Sequence, residues 1–346
     1  MLSKVLFMML LLLILVGVGA CLMLRSDDHV TYSRFSPLQE ELPVLDFTAP
    51  SVSTPSMEAY LAFYHLVFPS TEHRWGTFES EEYVLAAHIF TPRHPVGTVF
   101  ILHGYLDHTG MLHHVIQNCL EQQFVVAVYD LPGHGLSSGE RAGIHDFSDY
   151  VSVFHDFISM CQAYVPPPYY LISHSTGSAI AFEYLATMPQ SEFTGIVFLA
   201  PLIHHAHWLL LKTIHALGKP LPIRFVPRRY PRNDADPGLV ELLKTDPLQT
   251  DRVPVSWVSE LYEWDHEIRD AAVIDFPVLI VQGTDDKVVD WKYNLSFLQK
   301  KMPRAHIKLV GKAGHYLINE MPDVRAEVFR AVNVYLRNSA INISQN

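Results

Sequence analysis

From about residue 74 onward, short uninterrupted apolar runs alternate with longer helical stretches, and that rhythm restricts the chain to few architectures. The runs fall at 83–90, 97–102, 124–129, 169–172, 195–199, 278–281 and 307–310, and the later ones are rich in Val, Ile, Leu and Phe. A strand covered on both faces reads this way, because neither side meets water. Helical stretches at 110–122, 146–164, 178–188, 292–301 and 323–336 separate most of them. Strand and helix in repeated succession build a mainly parallel sheet with helices on both faces, since parallel neighbours need a crossover connection. The expected class is α/β.

One interval breaks the rhythm. Between Pro201 and Pro277 lie roughly 75 residues with Trp208, Trp257, Trp264 and many prolines but weak strand signals. A structureless loop of that length does not suit a compact domain. The expectation is a mostly helical insertion over about 202–275, a lid at the C-terminal edge of the sheet. With it, 74–338 forms one domain and 339–346 a short tail. Residues 26–73, rich in Ser, Pro and Thr, read as a linker and lead-in with a short helix near 58–68.

The first 25 residues are different in kind. Val5 to Leu24 is a run of 20 residues without a charge, preceded by Lys4 and followed by Arg25, Asp27 and Asp28. As a helix, ~20 residues span a hydrocarbon core of ~30 Å. Two readings stand side by side. One is an uncleaved signal anchor. The other takes Val18-Gly19-Ala20-Cys21, which resembles a bacterial lipobox, with Cys21 as the lipid attachment site. Both put the body outside the cytoplasmic membrane and tether it there.

Composition excludes several classes. The chain has 346 residues, 49% of them hydrophobic and 18% charged, so disorder does not describe the body. With 25 basic and 36 acidic residues the net charge is −11, and no non-specific nucleic-acid binding is expected. The three cysteines, Cys21, Cys119 and Cys161, contain no C-x-x-C pair. Cys119 and Cys161 read as buried thiols. His204, His205 and His207 cluster without nearby carboxylates, so no metal site is expected there. No motif speaks to oligomeric state.

Residues 169–178, Tyr-Tyr-Leu-Ile-Ser-His-Ser-Thr-Gly-Ser, carry the chemistry. A buried strand runs into S-x-S-x-G, and a helix follows. This resembles the nucleophile elbow of α/β-hydrolases, where a sharp turn exposes a serine hydroxyl at the strand's C-terminal end. Ser175 is the candidate nucleophile. Small residues are needed two positions either side. Gly177 meets the demand, whereas Ser173 departs from the usual Gly. A serine needs a base, and the base needs an orienting acid. The strand 278–281 ends in Gly283 and then Asp285, Asp286 and Asp290, three competing carboxylates. His315 follows the last strand in a Gly-flanked loop and is the candidate base. One oxyanion donor should be the backbone N–H of Thr176, at a helix N-terminus. The other should be the N–H of Tyr105 in the loop His103-Gly104-Tyr105-Leu106-Asp107-His108.

Together these segments resemble the monoglyceride lipase/lysophospholipase branch of the α/β-hydrolases, the serine aminopeptidase S33-like group. Residues 129–141, Tyr-Asp-Leu-Pro-Gly-His-Gly-Leu-Ser-Ser-Gly-Glu-Arg, look like its D-x-x-G-H-G-x-S-x-G-x-R signature. Asp246-Pro247-Leu248 is similar to its lid motif. The resemblance covers about 75–338 and singles out Asp286 as the acid, in G-x-x-D-x-[ILV]-[VC]-[DP]. Asp290 then reads as a helix cap. It implies an α/β-hydrolase fold and hydrolysis of carboxylic esters of single-acyl-chain lipids, without metal or organic cofactor. The alternatives are an S33-type peptidase, for which Glu260, Glu263 or Asp265 could anchor a substrate amine, another carboxylesterase, or a catalytically silent binding protein. In the lid, Lys212, Lys219, Arg224, Arg228, Arg229 and Arg232 interleave with apolar residues. That suits contact with anionic lipid headgroups.

Overall fold

The structure, a computed structural model, describes residues 34–35, 37–188, 192–228 and 237–343. The apolar N-terminal run, Cys21, Arg229 and Arg232 lie outside them. Ten strands are present among the described residues: β1 Thr71–Ser80, β2 Tyr83–Pro92, β3 Thr98–Leu102, β4 Val125–Tyr129, β5 Tyr169–His174, β6 Phe193–Leu199, β7 Phe225–Pro227, β8 Arg252–Pro254, β9 Val278–Gly283 and β10 His306–Val310. Eight form the central sheet, in the order β1-β2-β4-β3-β5-β6-β9-β10. β1, β2 and β4 pair antiparallel, and every pairing from β4 to β10 is parallel.

Helices cover both faces. α1 Leu38–Glu41, α2 Pro55–Phe63, α3 His113–Glu121 and α10 Pro322–Ile343 belong with one face, and α4 Phe147–Gln162, α5 Thr176–Thr187 and α9 Trp291–Lys301 with the other. The strands divide accordingly. In β3, Phe100 and Leu102 join the core with α4 and α5, whereas Val99 and Ile101 join that with α2 and α3. That period-two division is what continuous apolar runs anticipate. Cys119 and Cys161 are unpaired and buried in opposite cores. Burial pushes the Cys119 thiol up to about 12 and the Cys161 thiol higher, so neither is reactive.

The lid consists of α6 Trp208–Gly218, α7 Pro237–Thr245, α8 Val255–Glu267 and the small β7–β8 ribbon. Its rear half, α8, is anchored: Trp257, Leu261, Tyr262 and Trp264 are all buried in the main core. Its front, α6, buries Trp208 and leaves Leu209, Leu210 and Leu217 at 80%, 61% and 55% exposure.

Two elements depart from expectation. The segment read as linker carries buried core side chains from Phe35 onward, with Met57, Tyr60 and Tyr64 near α2. The structure also adds β1, whose mixed residues gave no strand signal. β1 is an edge strand, and an edge strand with one solvated face need not be uniformly apolar. Residues 43–45 run against its outer side, where Leu45 N–H donates to Thr77 O and Thr77 N–H to Pro43 O. A Cβ on Gly76 would sit 2.6 Å from Leu45 Cα, so glycine is what lets this cover approach.

Candidate active site

β5 delivers Ser175 and α5 leaves from it. Ser175 has φ 51° and ψ −114°, a conformation that costs a non-glycine residue about 1–3 kcal/mol and is kept only where surroundings impose it. Here Ser175 N–H donates to Leu199 O at 2.9 Å, and Ser175 O accepts from Ser178 N–H and Leu202 N–H. A Cβ on Gly177 would lie 2.5 Å from Leu102 O, which accounts for glycine two places on. Ser173 is accommodated by hydrogen bonds rather than by being small: its hydroxyl donates to Val197 O and meets the Ser178 hydroxyl at 3.0 Å.

The structure brings Ser175, His315 and Asp286 into one line. His315 Nε2 is 2.9 Å from Ser175 Oγ, and His315 Nδ1 is 2.8 Å from Asp286 Oδ2. Asp286 also accepts from the Gln282 amide and from Val288 N–H and Val289 N–H. Burial alone would raise its pKa, but the His315 ring and these donors outweigh burial and hold it at about 2. Asp285 is exposed, and Asp290 caps α9 by accepting from Tyr293 N–H at 3.2 Å. Of the three carboxylates, Asp286 is the one facing the histidine.

The His315 loop is braced from several sides. Gly314 N–H donates to the buried Glu320 carboxylate at 2.6 Å, and His174 Nε2–H donates to His315 O at 3.0 Å. On its other side, His174 Nδ1 lies 3.5 Å from Asp107 Oδ2, at the outer limit of a contact. Gly283 is required because a Cβ there would meet Gly314 O at 2.3 Å.

The two expected oxyanion donors flank the serine. Thr176 is the first residue of α5, so its N–H has no partner within the helix. Tyr105 follows Gly104, where a Cβ would come 3.2 Å from Ser175 Cβ. His103 lies under this loop, accepting from Leu131 N–H at 2.9 Å, with its other ring nitrogen 2.8 Å from Gly104 O. The glycine-rich signature supports the same region. Asp130 accepts from Thr109 N–H at 2.7 Å and from Leu136 N–H at 2.8 Å, while Arg141 donates to Gly135 O.

Sequence reasoning missed a clamp on the lid. Asp246 Oδ1 accepts from Tyr64 at 2.7 Å, and Asp246 Oδ2 lies 3.0 Å from His108 Nε2, all of it buried. The His108 Nδ1 accepts from Gly110 N–H, so Nε2 is the ring donor. The Asp-Pro-Leu motif signals one side of this contact; nothing in the sequence signals its partners. His108 is thus a buried partner of the lid, 1% exposed.

Other candidates separate. His204 stacks between Trp208 and Tyr293 and pairs with Asp265 at 2.7 Å, whereas His205 Nε2 turns to the Tyr262 hydroxyl. Asp265 is also held by Arg269 and Lys212, which leaves it ill-suited to anchoring a substrate amine. Glu263 is exposed and Glu260 half-buried. Arg228, expected among headgroup-facing cations, is instead 9% exposed and turned inward to Gln249 and Thr250 O. The site is covered: Ser175 and His315 are each 6% exposed. A cavity of about 10 Å³ beside the loop, lined among others by Leu106, Asp107, His134 and Gln249, does not reach Ser175.

Fold and site together define a serine hydrolase of the α/β type. The chain belongs to the Hydrolase_4 family, described as serine aminopeptidase S33, whose model matches residues 93–322. It is 27% identical to a monoglyceride lipase homolog of Monkeypox virus over 71% of this chain and 91% of that one. It is 28% identical to a monoglyceride lipase of Homo sapiens, over 70% and 82%. Among solved structures, a soluble variant of monoglyceride lipase from Saccharomyces cerevisiae in complex with a substrate analog superposes with TM-score 0.65. It has 20% identity and covers 76% of this chain and 94% of that one, a likeness of fold. Within its family the chain falls in the monoglyceride lipase/lysophospholipase-like branch and is a serine ester hydrolase.

Proposed function

We propose that this protein hydrolyses the carboxylic ester of single-acyl-chain lipids, monoacylglycerol or lysophospholipid, through an acyl-enzyme on Ser175. The observation that carries the reading is the Ser175–His315–Asp286 line, with contacts of 2.9 and 2.8 Å. Ser175 Oγ attacks the acyl carbonyl while His315 Nε2 takes its proton. Asp286 holds the Nδ1–H tautomer and balances the imidazolium. The amides of Tyr105 and Thr176 receive the oxyanion. His315 then protonates the departing alcohol, and water releases the fatty acid by the same steps.

The chain works at a membrane. Residues 5–24 tether it, as an uncleaved anchor or through lipid on Cys21, with the catalytic domain on the non-cytoplasmic side. The exposed leucines of α6, flanked by Lys219 and Arg224, supply a second, weaker contact with anionic lipid. Two experiments test these points. A fluorophosphonate probe should label the wild type and not Ser175→Ala; labelling that survives the substitution ends the acyl-enzyme reading. Membrane fractionation of wild type and Cys21→Ser, with protease protection, separates lipid attachment from a spanning anchor. Recovery of both in the soluble fraction defeats the tether.

A further inference from the structure

We propose that Trp257 of the lid is a positioning residue for the oxyanion hole. The proposal rests on the reading of Tyr105 N–H as an oxyanion donor. Residues 104–107 form a tight turn closed by Asp107 N–H to Gly104 O at 3.1 Å. Tyr105 occupies its second position, so its N–H is not the one that closes the turn. Leu106, at the third position, has φ 62°, the left-handed region. A branched side chain there costs roughly 1–2 kcal/mol. Relaxing that strain would turn the Tyr105–Leu106 peptide, whereas the Tyr105 N–H belongs to the preceding peptide, so its aim depends on how residue 105 itself is held.

The Tyr105 side chain is what is held. Its ring stacks on Trp257 with centroids 3.5 Å apart and planes at 15°. Its edge meets His134 of the glycine-rich loop at 5.4 Å, and its hydroxyl donates to Ala142 O at 2.7 Å. Of these three braces, the face-to-face one comes from α8. Trp257 itself is fixed, buried in the main core at the start of that helix. The rear half of the lid thus sets the geometry of a turn that lies beside the nucleophile. The front half, α6, has no part in this stack.

An oxyanion donor acts on the transition state far more than on bound substrate, and losing one costs about 10²–10³ in kcat. Misaiming one should cost less. Trp257→Ala is expected to lower kcat on a soluble short-chain ester about 10- to 100-fold with KM within about threefold. Inhibition by a trifluoromethyl ketone, which forms the tetrahedral adduct, should weaken in parallel. Trp257→Phe keeps a stacking ring and should restore most of kcat. Tyr105→Ala and the double variant should be non-additive with Trp257→Ala. Rates are taken per site titrated with fluorophosphonate, so unfolded protein does not count. A per-site kcat for Trp257→Ala within about twofold of wild type overturns the proposal, as does a loss that appears in KM alone. A wild type without esterase activity, or with labelling independent of Ser175, would instead defeat the underlying reading and the proposal with it.

Discussion

Asp286 and Glu183 are carboxylates that the fold pushes in opposite directions. Asp286 meets His315, the Gln282 amide and two backbone N–H groups, and its pKa falls from 3.8 to about 2. The stability it contributes is full above the unfolded value and is lost as pH falls toward 2. Asp286→Asn keeps the shape but cannot accept the Nδ1 proton in the same way. We expect kcat to fall on the order of 10³- to 10⁴-fold with KM little changed; a drop under tenfold would remove Asp286 from the catalytic line. Glu183 runs the other way. Burial raises it from 4.5 to about 7, and neighbouring Glu267 and Asp146 add to that, against the Trp264 N–H it accepts at 2.7 Å. The folded state then holds a proton the unfolded chain has released. Stability is full below about 4.5 and declines as pH rises through 7. Glu183→Gln keeps an acceptor for Trp264 and should raise the Tm at about pH 8 relative to wild type but not at about pH 4.5. Equal shifts at both would show the charge to be irrelevant. Ser175 and His315 were legible as candidates because the chemistry demands fixed residue types at strand ends, whereas Asp286 stood among three carboxylates and was singled out only by the family resemblance. The Tyr64–Asp246 bond was not, since its partners are 182 residues apart and neither sits in a pattern that requires the other.

At the level of elements, the parallel strands were readable almost to their ends, because burial on both faces leaves a continuous apolar run. β1 was not, being an edge strand of mixed burial. The short helix expected near 58–68 is present as α2, but its place in the core was not legible, because a helix this short carries little periodicity. Yet the chain just beyond α2 helps to fasten the lid, because Tyr64 reaches Asp246 beside His108. The pKa of Asp246 would be raised by burial, but His108 and the hydrogen bonds outweigh that and lower it, so the clamp is a charged one. Tyr64→Phe removes one buried hydrogen bond to a charged group, worth about 1.5–3 kcal/mol. The expected result is a lower Tm and faster limited proteolysis within residues 237–250, with the central sheet still protected. Unchanged cleavage in that segment would mean that the lid is held without Tyr64.

In the whole molecule the two halves of the lid serve different ends. α8 is part of the core and stays with the catalytic loops. α6 joins it through Trp208 alone and presents Leu209, Leu210 and Leu217 beside Lys219 and Arg224, although the chain as a whole carries −11. With Ser175 and His315 each 6% exposed, a long acyl chain cannot reach the nucleophile until something moves, and α6, which leaves three leucines in water, is the part of the lid with most apolar surface to gain by moving. A lipid surface would compensate for the apolar area that α6 leaves in water and so favour that movement. Each exposed leucine transferred into the interface is worth about 1.5–3 kcal/mol, reduced by incomplete burial. Replacing Leu209, Leu210 and Leu217 with Ser, in a chain beginning at residue 26, should weaken binding to anionic vesicles and lower hydrolysis of vesicle-borne lysophospholipid or monoacylglycerol at least tenfold. A soluble short-chain ester should be hydrolysed as by the parent, because these side chains lie away from the catalytic line and outside both cores. Equal losses on vesicles and on the soluble ester would place α6 in the catalytic machinery. Vesicle activity equal to the parent's would show that the membrane neither holds nor opens this face.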